Sequence, residues 1–68
     1  MMMNNFQKVL KDLRQMKYLS QKQLAAAIGV SQKAIDFWEK GINEPKLTYV
    51  VALCDFFDVT LDELIGRV

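Results

Sequence analysis

Five residues of the stretch QKAIDFWEK fall on a helical period: Gln32, Lys33, Asp36, Phe37 and Lys40 stand at i, i+1, i+4, i+5 and i+8. If Ile35 and Trp38, three apart, point inward, those five share the opposite face of one helix. A glutamine amide both donates and accepts, which suits the N6/N7 edge of adenine, and a lysine ammonium suits guanine O6/N7. Asp36 only accepts: it can take a hydrogen bond from cytosine N4 and disfavours base edges that present acceptors alone. Phe37 offers apolar contact to a thymine methyl. Gln21 and Ser31 open two successive helices, where backbone N–H groups and the helix dipole favour a phosphate. An anion and an aromatic ring are nonetheless unusual on a face meant for a polyanion. Lys33, three residues before Asp36, and Lys40, four after it, offset its charge locally, and the Asp-then-Lys order is the favourable one.

No combination of residues supports catalysis. The chain has no nucleophile–base pair, no glycine-rich phosphate loop and no acid dyad, so an enzyme is not expected. With one cysteine and no histidine, a zinc site would need carboxylates alone; no metal and no cofactor is expected, and nothing points to a small-molecule ligand. Cys54 can form no internal disulfide, sits in an apolar run and suits a reducing compartment. The longest apolar run, YVVALC, is far too short to span a membrane, and three leading methionines are too short for a signal-peptide core. A protein that stays in the cytoplasm, away from membranes, is expected. Its 68 residues, 51% of them hydrophobic, suffice for one small ordered domain near the lower size limit for folding without disulfides or metal.

The formal net charge of +1 is a weak footprint for a nucleic-acid binder, but its distribution is uneven. Residues 1–46 hold eight Lys/Arg against Asp12, Asp36, Glu39 and Glu44, a balance of +4. Residues 47–68 hold Arg67 against Asp55, Asp58, Asp62 and Glu63, a balance of −3. One end of the chain can face a polyanion while the other faces away.

The elements that position these residues are short helices. Beyond a loose N-terminus at residues 1–4, Asn4 or Asn5 can cap a first helix in which Phe6, Val9, Leu10 and Leu13 form one apolar stripe. Ser20 and Gln23 form a capping box that opens a second helix, with Leu24, Ala25 and Ile28 on its apolar side and Gly29 as its stop. Ser31 caps a third helix that runs to about Lys40, and Gly41 supplies a left-handed exit. Pro45 is preset for the start of a fourth helix, whose Leu47, Val50, Val51, Leu53, Cys54 and Phe57 predict a broad buried face. VALCDFFDV could pass for a strand by composition, but its neighbours and its 3–4 spacing favour helix. Thr60 with Glu63 repeats the capping box and opens a short fifth helix that ends near Gly66.

Spacing within residues 21–39 is more specific than any single residue. Two helices that cross steeply through a short turn need apolar contacts one turn apart, here Leu24 and Ile28. They need a small residue at the crossing, here Ala25, and a turn residue tolerant of positive φ, here Gly29, followed by an inward apolar group, Val30. The second helix must then bury residues three apart, here Ile35 and Trp38. All four requirements are met in order. With LSQKQLAAAIGVSQKAIDFWEKG followed by EP and FDVTLDELIG, the sequence resembles the phage-repressor and Cro-like helix-turn-helix proteins, the Xre type, from about Phe6 to Ile65.

The resemblance implies an all-α, compact five-helix lambda-repressor-like DNA-binding domain, one domain over residues 1–68, with the helix-turn-helix at helices 2 and 3. In such proteins the third helix lies in the major groove, the N-termini of the second and third approach the backbone, and dimers bind two half-sites. Carried over, it makes Gln21 a phosphate-contacting glutamine and puts Gln32, Lys33 and Phe37 at base edges with Ser31 and Asp36 beside them. It also assigns Lys40, Asn43 and Lys46 to the phosphate backbone. Arg14 and Glu39 match an ion pair between the first and third helices, although both could instead be exposed charges.

The resulting expectation is a sequence-specific regulator of bacterial or phage type that binds double-stranded DNA, a repressor occupying an operator as a homodimer. A different class of function stays open: a helix-turn-helix scaffold used to dock a partner protein, as an antitoxin-like subunit would, with little DNA binding of its own. The low net charge, Asp36, Glu44 and Phe37 lean that way. For the homodimer, Tyr49, Ala52 and Phe56 remain on the other side of the fourth helix, and Leu61, Ile65 and Val68 lie near the chain end. They form a candidate two-fold interface at the acidic end, although Leu61 also fits a core position.

Overall fold

Phe6 and Leu10, four residues apart, are both buried, and this pair fixes the first helix against the rest of the chain. The computed structural model describes residues 5–67; Asn4 as a cap, the loose segment 1–4 and Val68 lie outside the described residues. Five helices follow in order: α1 (Phe6–Met16), α2 (Gln21–Ile28), α3 (Gln32–Lys40), α4 (Leu47–Phe57) and α5 (Leu61–Ile65). No strand occurs among the described residues, and VALCDFFDV is helical.

Local chemistry sets most of the boundaries. The Ser20 Oγ accepts from the Gln23 N–H at 3.0 Å while the Gln23 side chain accepts from the Ser20 N–H at 2.8 Å. Thr60 and Glu63 make the same reciprocal pair at α5. The Ser31 hydroxyl accepts from the Ala34 N–H, and α3 ends at Gly41 in the left-handed region, φ 72°. Gly29 does the same for α2 at φ 85°, turning the chain directly into the cap of α3. Two left-handed exits use residues other than glycine: Tyr18 after α1 and Asp58 after α4.

Three expectations about these boundaries need correction. Asn5 occupies the N-cap of α1, but its side chain makes no capping bond; its N–H instead reaches the Ile65 carbonyl at 3.2 Å and ties the start of α1 to the end of α5. Pro45 stands outside α4, not in its first turn. Lys46 is the N-cap in extended conformation, and the buried Pro45 ring packs against the fold. The buried face of α4 is also narrower than its composition implies. Val50, Leu53 and Phe57 are buried, whereas Leu47 is 73% exposed and Val51 is exposed with it. The reason is geometric: α4 packs mainly on α2 and α5, so one stripe is covered and the opposite side is left to solvent.

The core joins Leu10, Leu24, Ile35, Trp38, Leu53 and Leu64 with the other buried residues, so every helix contributes to it. Ala25 on α2 is buried, and α2 packs closely on α3. Ile65 is 1% exposed, because the last turn of α5 packs on α1. It is therefore a core residue and not part of an exposed apolar surface. Leu61, one turn earlier, is 46% exposed, so the core position open to it is not taken.

Candidate nucleic-acid interface

The α2–α3 unit is locked to α1 by a polar contact set into otherwise apolar packing. Arg14 on α1 donates from Nε to Glu39 Oε2 at 2.7 Å and from Nη2 to Oε1 at 3.0 Å, a fork-to-fork pair across 25 residues. Its Nη1 donates to the Leu19 carbonyl at 2.8 Å, so one guanidinium also fixes the turn that leads into α2. The two side chains are 11% and 4% exposed, a nearly dry environment. The hydrogen bonds from Glu39 raise the guanidinium above its ordinary value, burial opposes this, and the carboxylate's charge adds to the rise. The arginine stays cationic, and neither charge is left uncompensated.

Gln21, the first residue of α2, continues this network. Its Nε2 donates to Glu39 Oε1 at 3.1 Å and to Asp36 Oδ1 at 3.2 Å. Only the NH2 end of an amide can meet two carboxylates, which fixes the amide's orientation. Asp36 Oδ2 in turn meets the Lys40 ammonium at 2.9 Å. The hydrogen bond from Lys40, then that from Gln21, holds the Asp36 carboxyl below its ordinary value. A continuous polar chain thus runs from Arg14 through Glu39, Gln21 and Asp36 to Lys40. Sequence reasoning did not place Gln21 in it, because contacts 15 and 18 residues apart depend on the angle between α2 and α3.

Ile35 and Trp38 are buried, and Gln32, Lys33, Asp36, Phe37 and Lys40 line the opposite side of α3. Gln32, Lys33 and Lys40 are exposed; Asp36 and Phe37 are half-buried. The Lys33 ammonium stands 5.4 Å from the Phe37 ring centroid, so ring and cation are paired. Ser31 is exposed at the start of α3, and its hydroxyl is already used as a cap. Asn43 and Lys46 are exposed in the segment between α3 and α4. With both N–H groups of its amide directed at carboxylates, the Gln21 side chain has no donor left for an anion. What α2 can offer a phosphate is the backbone N–H groups of Gln21 and Lys22, the first-turn donors that the Ser20 cap does not take.

The face proposed for self-association is divided. The Tyr49 ring lies 6.0 Å from Trp38 at 38°, and Phe56 meets Phe57 edge-on at 5.0 Å, so both rings are partly engaged with the core. Phe56 and Leu61 keep exposed area, as do Leu47 and Val51, two residues that composition had placed inside. No helix among the described residues is long and apolar enough to cross a membrane.

Comparison with known proteins gives the same framework. The chain is 42% identical over 61 residues to the HTH-type transcriptional activator BcrR of Enterococcus faecalis, covering 90% of this chain and 30% of that protein. It is 36% identical over 58 residues to the HTH-type transcriptional regulator AnsR of Bacillus subtilis, covering 85% and 50%. It is also 37% identical over 61 residues to the cryptic phage CTXphi transcriptional repressor RstR of Vibrio cholerae, covering 90% and 55%. The chain thus spans from 30% to 55% of the length of these relatives. Among solved structures, the SOS-response transcriptional repressor LexA from Eubacterium rectale superposes with a TM-score of 0.83 at 33% identity, covering 88% of this chain and 64% of that one. The helix-turn-helix family model matches residues 10–64, and with the α2–turn–α3 geometry described above, this chain belongs to the helix-turn-helix family, in its Cro-like, Xre-type branch.

Proposed function

We propose that this chain is a sequence-specific DNA-binding transcriptional regulator that lays α3 in the major groove and occupies an operator as a homodimer, acting as a repressor. The observation that carries this reading is the outward face of α3, where Gln32, Lys33 and Phe37 project beside Asp36 from a helix locked to α1 and α2. Gln32 and Lys33 supply donors for purine edges, and Phe37 supplies apolar contact to thymine. The backbone N–H groups at the N-termini of α2 and α3, at Gln21 and at the Ser31 cap, together with Asn43 and Lys46, hold the phosphates on either side. Lys40 stands at the end of the same face. Residues 1–68 act as a single domain in this reading, in the cytoplasm, without cofactor or small-molecule ligand.

The homodimer reading draws on the exposed apolar residues Phe56 and Leu61 at the acidic end, with Val51 added and Ile65 removed. Tyr49 contributes only the part of its ring that Trp38 leaves uncovered. A domain measuring 27 × 23 × 19 Å suits two copies side by side on half-sites about 34 Å apart. One of the relatives is named an activator and another a repressor, and the repressor sign proposed for this chain rests on simple occupancy of an operator.

Selection of bound duplexes from a random pool tests the proposal. The expected result is an enriched site with dyad symmetry, bound with an affinity that falls steeply with salt through counterion release. A pool that shows no enrichment, with no duplex binding at low salt, would overturn it. That result would favour the docking-module reading, for which the Asp36 carboxylate and Phe37 ring on the α3 face are the supporting observation.

A further inference from the structure

Each oxygen of the Asp36 carboxylate has a partner on the protein. Oδ2 lies 2.9 Å from the Lys40 ammonium, and Oδ1 accepts from Gln21 Nε2 at 3.2 Å. An exposed i,i+4 ion pair is weak by itself, and a nearby phosphate would readily compete for its lysine. Here the acidic partner has a second anchor. Gln21 also donates to Glu39 at 3.1 Å, and Glu39 is the nearly buried partner of Arg14. The carboxylate is thereby held from the protein side in a fixed place on α3, directly under the lysine.

The other cation on this face is engaged as well, with Lys33 over the Phe37 ring. The reading helix therefore presents its lysines already paired, which is opposite to the arrangement that would maximise attraction to a phosphate backbone. An aspartate that reads a base would have to share an oxygen already held by Lys40 or Gln21, through a lone pair those bonds leave open. This one is directed along the helix and back toward α2.

Resting on the DNA-binding reading above, we infer that Asp36 governs the sequence-independent part of duplex affinity: it holds Lys40 away from the phosphates and touches no base. The protein then meets DNA with one phosphate contact fewer than its lysine count implies. Binding to every sequence is weaker and less salt-dependent by that one contact, and dwell on random DNA is shorter.

The test is a salt series from 50 to 200 mM with the full chain and the variants D36N, K40A and D36N/K40A. Each is measured on the selected duplex and on a random duplex of equal length. In D36N the log–log salt slope should steepen by about one unit on both duplexes, an additional loss of about three- to fourfold across that range. Affinity at 50 mM should rise several-fold on both. In the K40A background most of this gain should vanish, because no lysine remains to be released. Three results would overturn the inference. A D36N gain of undiminished size in K40A would make Asp36 a simple fixed anion. A D36N effect confined to the selected duplex would make it a base reader. An unchanged slope would mean Lys40 reaches phosphate regardless. Absence of duplex binding by the unmodified protein would instead bring down the regulator reading itself, whatever the variants do.

Discussion

At the α2–α3 end, a hydrogen-bonded chain runs from Arg14 to Lys40, and side chains are held atom to atom at 2.7–3.2 Å. At the α4–α5 end, Leu53, Phe57 and Leu64 enter the buried cluster, and the capping box of Thr60 and Glu63 supplies local side-chain hydrogen bonds at the start of α5. Apolar contact is not directional. It sets how far apart two helices lie but leaves outward side chains free to rotate. Hydrogen bonds are directional and fix the position of individual atoms. The end that must match the donor and acceptor pattern of a ligand is built with the directional kind. The other end, with Leu47, Val51, Phe56 and Leu61 exposed, has the broad apolar surface that suits a second protein surface.

The comparison breaks most sharply at Glu39. Glu39→Ala leaves the Arg14 guanidinium nearly buried without its carboxylate and deprives Gln21 of one acceptor, so a loss of about 3–5 kcal/mol is expected in urea unfolding. That is a large part of what a small domain has. Replacing both partners, Arg14→Met with Glu39→Leu, should recover much of the stability because no charge is then stranded. It should not recover duplex binding, since the anchor for Gln21 is gone. A coupling near zero in the double-mutant cycle would mean that water reaches the pair and that this end is held by apolar contact like the other.

Next in size is Ile65→Ala. With the side chain 1% exposed, truncation should leave a cavity between α5 and α1 and cost about 2–5 kcal/mol. If Ile65 instead served an interface between copies, the loss would appear as weaker self-association with an unchanged monomer. Unfolding at several protein concentrations separates the two, and a loss that grows with concentration would contradict the buried placement.

These two residues also show what a sequence reveals and what it does not. Ser20 with Gln23, Ser31, Thr60 with Glu63 and the glycines at 29, 41 and 66 were legible because capping acts within one turn of the chain. The periodic pairs Phe6 with Leu10 and Ile35 with Trp38 were legible for the same reason. Ile65 was assigned to the exposed surface because a five-residue helix has too little periodicity to mark its buried face, whereas Leu61 was placed on the exposed side that it does occupy. Leu47 and Val51 were misplaced because composition cannot tell how many neighbours a helix has. Tyr18 and Asp58 adopt positive φ with no glycine to announce it. For the site, the α3 face followed from helical period alone, and Arg14 with Glu39 came only through family resemblance. The Gln21 bridge needed the angle between two helices, which no local pattern carries.

Leu61→Glu sharpens the comparison from the apolar side. Leu61 is 46% exposed at the first position of α5, where a carboxylate complements the helix dipole. Monomer stability should therefore stay within about 0.5 kcal/mol of the parent, the usual range for a surface change. If two copies pair through this end, sedimentation should show the variant as a monomer at concentrations where the parent is a dimer. Affinity for a dyad-symmetric site should fall with it, while a single half-site is bound as before. A parent that is itself monomeric at tens of micromolar would remove the apolar end from the dimer reading.

The smallest effect expected is at the tip of the polar chain, and it depends on pH. Lys40 first, and Gln21 second, hold the Asp36 carboxyl below its ordinary value of 3.8, so the folded protein keeps it ionised at pH values where the unfolded chain has already taken up a proton. The unfolded state then binds more protons, and stability from this group rises with pH. Its contribution is complete above the ordinary carboxyl range and is lost as pH falls through the depressed folded value. Between pH 5 and pH 2.5 the urea midpoint of the parent should therefore drop more than that of Asp36→Asn, and the excess should shrink in Lys40→Ala. Solvent reaches the group and screens it, so the difference will be small, and following the Asp36 carboxyl resonance by NMR is the more direct readout. A carboxyl that titrates at its ordinary value, with no difference between parent and Asp36→Asn across this range, would end the chain at Gln21. The directional end would then stop one residue short of the reading face, and Lys40 would be as unconstrained as the exposed leucines at the other end.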